Sequence, residues 1–413
     1  MNFLFIALAL FCGLLPTYLV RFSIPIPGTH FMLPTTLLEI LFFILFIAWF
    51  IVRGYKKEAW QSLGRWAAPI TLFIVGSTVS LAISPDLRGA IGLWRAYILE
   101  PIVFFVLFTD IVSRQKRGGA IFAALGASLA AVGVIACIQK ITGIGIPPAW
   151  QPEATRRVTA FYGFPNGIGL FAAPITVLMA GWMLAAKKKK QKIFAGLCAI
   201  LGVCSIIFAV SQGAMVGAVA GLVILGLIDK RTRPWALGLI IAGCIAVITI
   251  RPIRDEISIL ASLRDDSGSV RQIIWKETAA MLADHPVFGA GLAGYRERIA
   301  PYHEAKYIEI FMYPHNIVLN FWSETGLLGL IGFAWIVILF FITAIRLLKK
   351  NLWPTAALIA AMTALLVHGL VDVPYFKNDL AILFWIIVGF AEVLRRVHEH
   401  GAQASFAKAS DPT

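Results

Sequence analysis

Apolar stretches of about 20 residues recur along this chain, near residues 2–20, 34–52, 66–83, 93–112, 119–138, 164–186, 193–210, 213–229, 235–251, 323–345, 353–371 and 379–394. About 20 residues of helix cross the hydrocarbon core of a bilayer. With no water there, each backbone N–H and C=O must be satisfied inside its own segment, and an open strand edge fails that condition. The predicted fold class is therefore all-α, a polytopic membrane helical bundle of about 12 transmembrane helices. Hydrophobic residues make up 59% and charged residues 14% of the 413, against roughly 45–50% and 25% in soluble domains. The start, MNFLFIALALFCGLLPTYLVRF, has no basic n-region and no small-residue cleavage site, so it reads as a first span.

The formal net charge of +14 invites a nucleic-acid reading, but the placement of the charges argues against it. More than half of the Lys and Arg residues gather in short connections: Arg53, Lys56, Lys57 and Arg65; Arg114, Lys116 and Arg117; Lys187 to Lys190 and Lys192; Lys230, Arg231 and Arg233; Arg346, Lys349 and Lys350; Arg395, Arg396 and Lys408. These clusters fall on alternate connections, and the positive-inside rule then puts both termini in the cytoplasm. The bilayer is the expected partner and nucleic acid is not. In this division residues 1–251 hold nine transmembrane helices, 252–322 a large helical extracytoplasmic loop domain, 323–396 three more transmembrane helices, and 397–413 a cytoplasmic tail. Inside the loop, SGSVRQIIWKETAAMLADHP predicts a helix. Ser269 and Gln272 have capping-box spacing, Val270, Ile273, Ile274, Met281 and Leu282 form one apolar face, and Pro286 ends it.

The five cysteines all lie in apolar stretches, with neither a disulfide framework nor a zinc spacing among them; no metal or cofactor is expected. FGAGLAGY matches G-x-G-x-x-G, but a predicted helix and Pro286 precede it where a dinucleotide site needs a strand, so it reads as a flexible turn. His315 and Asn316 stand where the polar loop meets an apolar helix. Asn316 can simply cap that helix and His315 anchor at the interface, or the imidazole can take a proton from an attacking hydroxyl. Glu324, nine residues on, can orient the imidazole or act as the base, but a continuous helix would put the two on opposite sides. Arg271, in the expected first turn of the loop helix, opposes the helix dipole unless an anion sits there. Arg156 and Arg157 before FYGFPNG offer a second phosphate grip or bind headgroups. Arg95 and Glu100 are about 140° apart on an α-helix and are not expected to pair. His368 and Asp372, four apart, share a face and read as a structural hydrogen bond.

R-Q-I-I-W, then H-P-V-F-G-A-G, then H-N-x9-G with E-T-G-L-L-G-L, in this order, resemble the O-antigen ligase and polymerase superfamily. RRVTAFYGFPNGIGLF resembles that family's R-x-x-G-x-F-x-x-P-N segment, and SQGAMVG its S-R-G-x-x-x-G segment, with Gln212 where the family usually has Arg. The resemblance implies a GT-C-like membrane glycosyltransferase of the bacterial inner membrane. Such enzymes move a glycan from an undecaprenyl-pyrophosphate carrier to a hydroxyl of a glycan, lipid or protein acceptor on the outer face, without a metal. It also implies His315 as the catalytic histidine and Arg271 on the pyrophosphate; Glu324 is the second candidate catalytic residue, and Arg156, Arg157, Asn316 and Gln212 complete the candidate substrate-binding set. Ligase and polymerase remain alternatives within the superfamily. A 12-helix secondary transporter, the first reading outside the superfamily, predicts internal repeats, and none is evident; a structural or assembly membrane protein, the third reading, would leave His315 dispensable.

Overall fold

Backbone groups satisfied within single segments produce the expected outcome, a bundle of helices joined by short turns. The computed structural model describes residues 2–25, 28, 32–115, 118–263, 265–349 and 352–409. The helices are α1 (Asn2–Gly13), α2 (Leu37–Trp49), α3 (Ala67–Ala82), α4 (Leu87–Leu93), α5 (Glu100–Ser113), α6 (Gly119–Thr142), α7 (Pro165–Ala185), α8 (Lys189–Phe208), α9 (Gln212–Ile228), α10 (Arg233–Thr249), α11 (Arg251–Ala261), α12 (Asp266–Asp284), α13 (Tyr295–Ile299), α14 (Ile317–Leu347), α15 (Leu352–Gly369) and α16 (Asn378–Ala409). Between α1 and α2 a short antiparallel hairpin pairs β1 (Arg21–Pro25) with β2 (Met32–Thr36).

Among the described residues eight helical segments are long and apolar enough to cross a membrane, and α1, α9 and α10 are shorter apolar helices. The last predicted apolar stretch lies in α16, which continues to Ala409 through most of the expected tail. The fold is thus an all-α polytopic membrane bundle. Lys116, Arg117 and Lys350, counted above as inner charges, lie outside the described residues, and so do tail residues 410–413.

Small residues set the packing. In lipid, helices gain little from hydrophobic exclusion and associate by close van der Waals approach at small side chains. Gly76 of α3 meets the backbone of α14 at Gly329, and Gly332 lies against the Phe73 backbone. On the other side, Gly217 and Gly221 of α9 approach the Ala364 and Ala360 carbonyls of α15. Above the first seam an aromatic cluster fills the interior, with Phe321 and Phe333 stacked at 3.8 Å and Tyr375 5.1 Å from Phe321.

Three local expectations are corrected. Arg95 does pair with Glu100, at 3.3 Å, and with Glu39, at 3.0 Å. Residues 94–99 form a π-helical turn, whose i→i+5 repeat brings positions five apart onto one face. Ser269 and Gln272 do not form a capping box, because α12 already begins at Asp266 with Asp265 in the cap position. Gln272 Nε2 instead donates to the Ser262 carbonyl at 2.9 Å, and Arg271 falls in the second turn. The FGAGLAGY segment is a turn but a packed one: Ala290 N donates to Ser323 O at 2.7 Å and Leu327 N to Val287 O at 2.8 Å. These bonds flank Gly326, where α14 leaves helical geometry at φ 67°.

Gly76→Val forces side-chain atoms into the α14 backbone, and such overpacking costs about 1–3 kcal/mol. The detergent-purified variant should melt several degrees below the wild type; an unchanged melting temperature would mean that the α3–α14 seam has room it is not expected to have.

Candidate active site

The site forms where helix ends meet. Asn316 occupies the cap position of α14, its Oδ1 accepting from Val318 N at 3.0 Å and Leu319 N at 3.1 Å. Its Nδ2 donates to the Leu370 carbonyl, at 2.9 Å, just past the end of α15. One side chain therefore caps one helix and ties it to the next. His315, immediately before it, has a left-handed backbone at φ 48°. A β-carbon makes that conformation cost on the order of 1–3 kcal/mol, and it persists only where the surroundings fix it. The fixing is visible on both sides: Asn316 follows, and the Trp275 indole of α12 donates to the Pro314 carbonyl at 2.9 Å.

Held this way, His315 places Nδ1 3.4 Å from Asp372 Oδ1. The imidazole is half-buried, between the rings of Phe311 at 5.3 Å and Tyr313 at 4.6 Å. Asp372 is fully covered. Burial alone would raise its pKa, but the hydrogen bond and charge of His315, the His368 charge and the Val373 N–H at 2.8 Å outweigh it and hold the carboxyl down at about 2. An ionised carboxylate on Nδ1 favours the tautomer that leaves Nε2 free to accept a proton. Sequence reasoning named Asp372 only as a partner for His368; a separation of 57 residues between Asp372 and His315 carries no periodic signal.

Glu324 is elsewhere. α14 is helical from Ile317 to Thr325 and breaks only at Gly326, beyond Glu324, so the break does not bring the two together. The buried Glu324 carboxylate accepts from Ala293 N at 2.7 Å, so it holds the FGAGLAG segment against α14. The carboxylate at His315 is Asp372.

Arg271 lies one turn before Trp275 on α12, so it projects from the face that the indole ties to the His315 loop. Its Nε is buried and has no hydrogen-bond partner among the described residues. A buried guanidinium donor left unpaired is costly, and an anion would complete it. Burial first, and then the Arg271 charge, draw the Arg157 guanidinium below its ordinary value, so these two cations share one region. Arg157 donates to Ala209 O at 3.0 Å, Val210 O at 3.2 Å and Asn166 Oδ1 at 3.3 Å. It braces the turn that leads into Gln212, the first residue of α9. The next residue, Gly213, lies against His368 and Val371, so Gln212 starts its helix beside the Asp372 turn. Arg156 turns away: its donors reach Lys140 O at 3.1 Å, Ile141 O at 3.3 Å and Gln151 O at 3.3 Å, at the end of α6.

Two groups escaped sequence reasoning. His303 pairs with Glu277 at 3.0 Å, but its Nε2 is spent on Ile308 O at 2.9 Å and Glu277 also accepts from Glu304 N at 3.0 Å. That pair pins the 300–308 segment to α12. Lys377, on the turn that carries Asp372, has a buried Nζ without a hydrogen-bond partner among the described residues, 4.1 Å from the Phe164 ring centroid.

A proton acceptor and unpaired cationic donors thus converge at one end of a multi-pass membrane bundle. Residues 197–334, about a third of the chain, match the family model described as O-antigen ligase, and the match supports the O-antigen ligase and polymerase superfamily. The match contains Gln212, Arg271, His315, Asn316 and Glu324, whereas Arg156, Arg157 and Asp372 lie outside it. No curated protein matches the chain.

A carboxyl held at about 2 in the fold and near 3.9 when unfolded stabilises the fold above about pH 4. That contribution is lost as the pH falls from there towards 2. Asp372→Asn should therefore flatten the fall in melting temperature on acidification below about pH 4, measured against wild type in the same detergent. Parallel curves for the two proteins would show that Asp372 is not ionised against His315.

Proposed function

We propose that the protein transfers a glycan from an undecaprenyl-pyrophosphate carrier to an acceptor hydroxyl at the outer face of the bacterial inner membrane. The observation that carries this reading is the His315–Asp372 pair at 3.4 Å, set beside the unpartnered Arg271 on the helix that Trp275 ties to the same loop. His315 Nε2 takes the proton of the acceptor hydroxyl as its oxygen attacks the anomeric carbon. The bond from that carbon to the pyrophosphate oxygen breaks, and the carrier leaves as lipid pyrophosphate. Asp372 steadies the imidazolium that forms. Arg271 meets the charge that grows on the leaving group, where a planar fork of donors fits phosphate oxygens.

Arg157 adds positive charge from the α7–α9 side. Gln212 contributes a neutral amide where relatives usually have Arg, so the grip relies more heavily on Arg271. Asn316 positions His315. Glu324 acts at a distance, by anchoring Ala293. Arg156 is left to stabilise the end of α6. The site lies at the helix ends opposite the Lys187–Lys192 and Arg346–Lys349 connections, and the positive-inside rule puts those in the cytoplasm. Both termini are then cytoplasmic and the site faces outward. Ligation and polymerisation use the same bond-making step and differ in the acceptor; the surface carbohydrate of a deletion strain separates them, as loss of attachment or loss of chain length.

Removal of a positioned proton-transfer group costs about 10²–10⁴ in rate. His315→Ala should lose that much glycan transfer in membranes at normal protein level, while changes at His398 leave it intact. Wild-type transfer by His315→Ala would remove this residue from the chemistry. Arg271→Lys keeps the charge and loses the fork, so transfer from purified lipid-linked donor should fall at normal expression. Full activity in both the Lys and Ala variants would leave Arg271 a surface residue.

A further inference from the structure

At the far end of the bundle lies a cavity of about 960 Å³. α6 and α7 span the distance: Gly119 and Trp182 line the cavity, while the opposite ends of the same helices are bonded to Arg156 and Arg157. The cavity is therefore separate from His315. Its floor is aromatic and aliphatic. Phe122 stacks on Trp182 at 6.0 Å and packs on Phe390 at 4.8 Å. Of the charged side chains in its lining, Glu58, Arg114, Lys187 and Lys188 are exposed and stand at the rim, whereas Arg396 is largely covered. Arg114 is already paired with Asp110 at 3.0 Å and Arg396 with Glu392 at 2.8 Å. The exposed Lys187 and Lys188 have no ion-pair partner among the described residues, and no carboxylate stands in the first turn of α8, which follows them.

A polar metabolite would need hydrogen-bonding groups converging on the floor. This cavity instead divides into an apolar floor and a cationic rim, the division of an amphiphile with an anionic head. We infer that it binds an anionic phospholipid of the adjoining leaflet, with the phosphate at Lys187 and Lys188 and an acyl chain against Phe122, Trp182 and Phe390. The inference rests on the shape and charge of the cavity and does not depend on glycan transfer.

The test is native mass spectrometry of the full chain released from nanodiscs that hold phosphatidylglycerol and phosphatidylcholine in equal amounts. Two lysines beside an anionic headgroup should give a preference of roughly tenfold for phosphatidylglycerol. Lys187→Gln combined with Lys188→Gln should abolish the preference; Lys189, Lys190 and Lys192 remain to keep the connection basic. Gly119→Leu fills the cavity, since a β-carbon there stands at ordinary contact, 3.8 Å, from Trp182, and should remove retention of both lipids. A second measurement needs no cavity-filling variant. Brominated phosphatidylglycerol should quench wild-type fluorescence more than that of Trp182→Phe. Equal retention of the two lipids by the wild type, retention unchanged in Gly119→Leu, or identical quenching in the two proteins each overturns the inference.

Discussion

The interruption of α14 at Gly326 is the feature on which the half of the molecule that carries His315 depends. A helix broken within an apolar segment exposes backbone groups that hydrocarbon cannot satisfy. Here they are met by other parts of the chain: Val287 O accepts from Leu327 N, Ala290 N donates to Ser323 O, and the Ser80 hydroxyl donates to Glu324 O. The long polar segment is thus stitched into the bundle at a point where α3 and α14 are already in close glycine contact. Glycine at 326 is required for a plain reason, since φ is 67° there and an added β-carbon would press on the Val287 carbonyl.

From that anchor the chain runs on through α13 to Pro314, which α12 holds through Trp275, and His315 is positioned by helix ends. The N-termini of α7, α9 and α14 and the turn after α15 come together. Arg271 and Arg157 then share one region near the His315–Asp372 pair. The His315–Asp372 pair sits at the ends of packed helices, which hold the two side chains in fixed relation.

The spans were legible because burial in lipid imposes a length and an apolar composition, which hydropathy reads directly. The capping role of Asn316 was legible too, since it is decided within three residues. Periodicity assumes 3.6 residues per turn, so it cannot foresee the π-helical turn that joins Arg95 to Glu100. The partner of His315 was hidden for a different reason. Asp372 comes from another helix end, and its neighbour in sequence, His368, offered an easier explanation. Glu324 attracted the role through nearness along the chain, while the α14 geometry sends its carboxylate to Ala293. Arg156 and Arg157 are adjacent and chemically alike, and tertiary contacts alone separate a helix-end clamp from a neighbour of Arg271.

Asn316 has one further consequence. Its amide oxygen takes N–H groups of α14 while its nitrogen gives to the Leu370 carbonyl beyond α15. The two ends of one short side chain thus gauge the separation of two membrane helices. If either helix slides along the other, one of the two sets of bonds is lost. A carboxylate at this position would still cap α14 but would repel the carbonyl opposite. His315 inherits this registration through a single peptide bond, so its depth in the site is set by whether α14 and α15 stay in step.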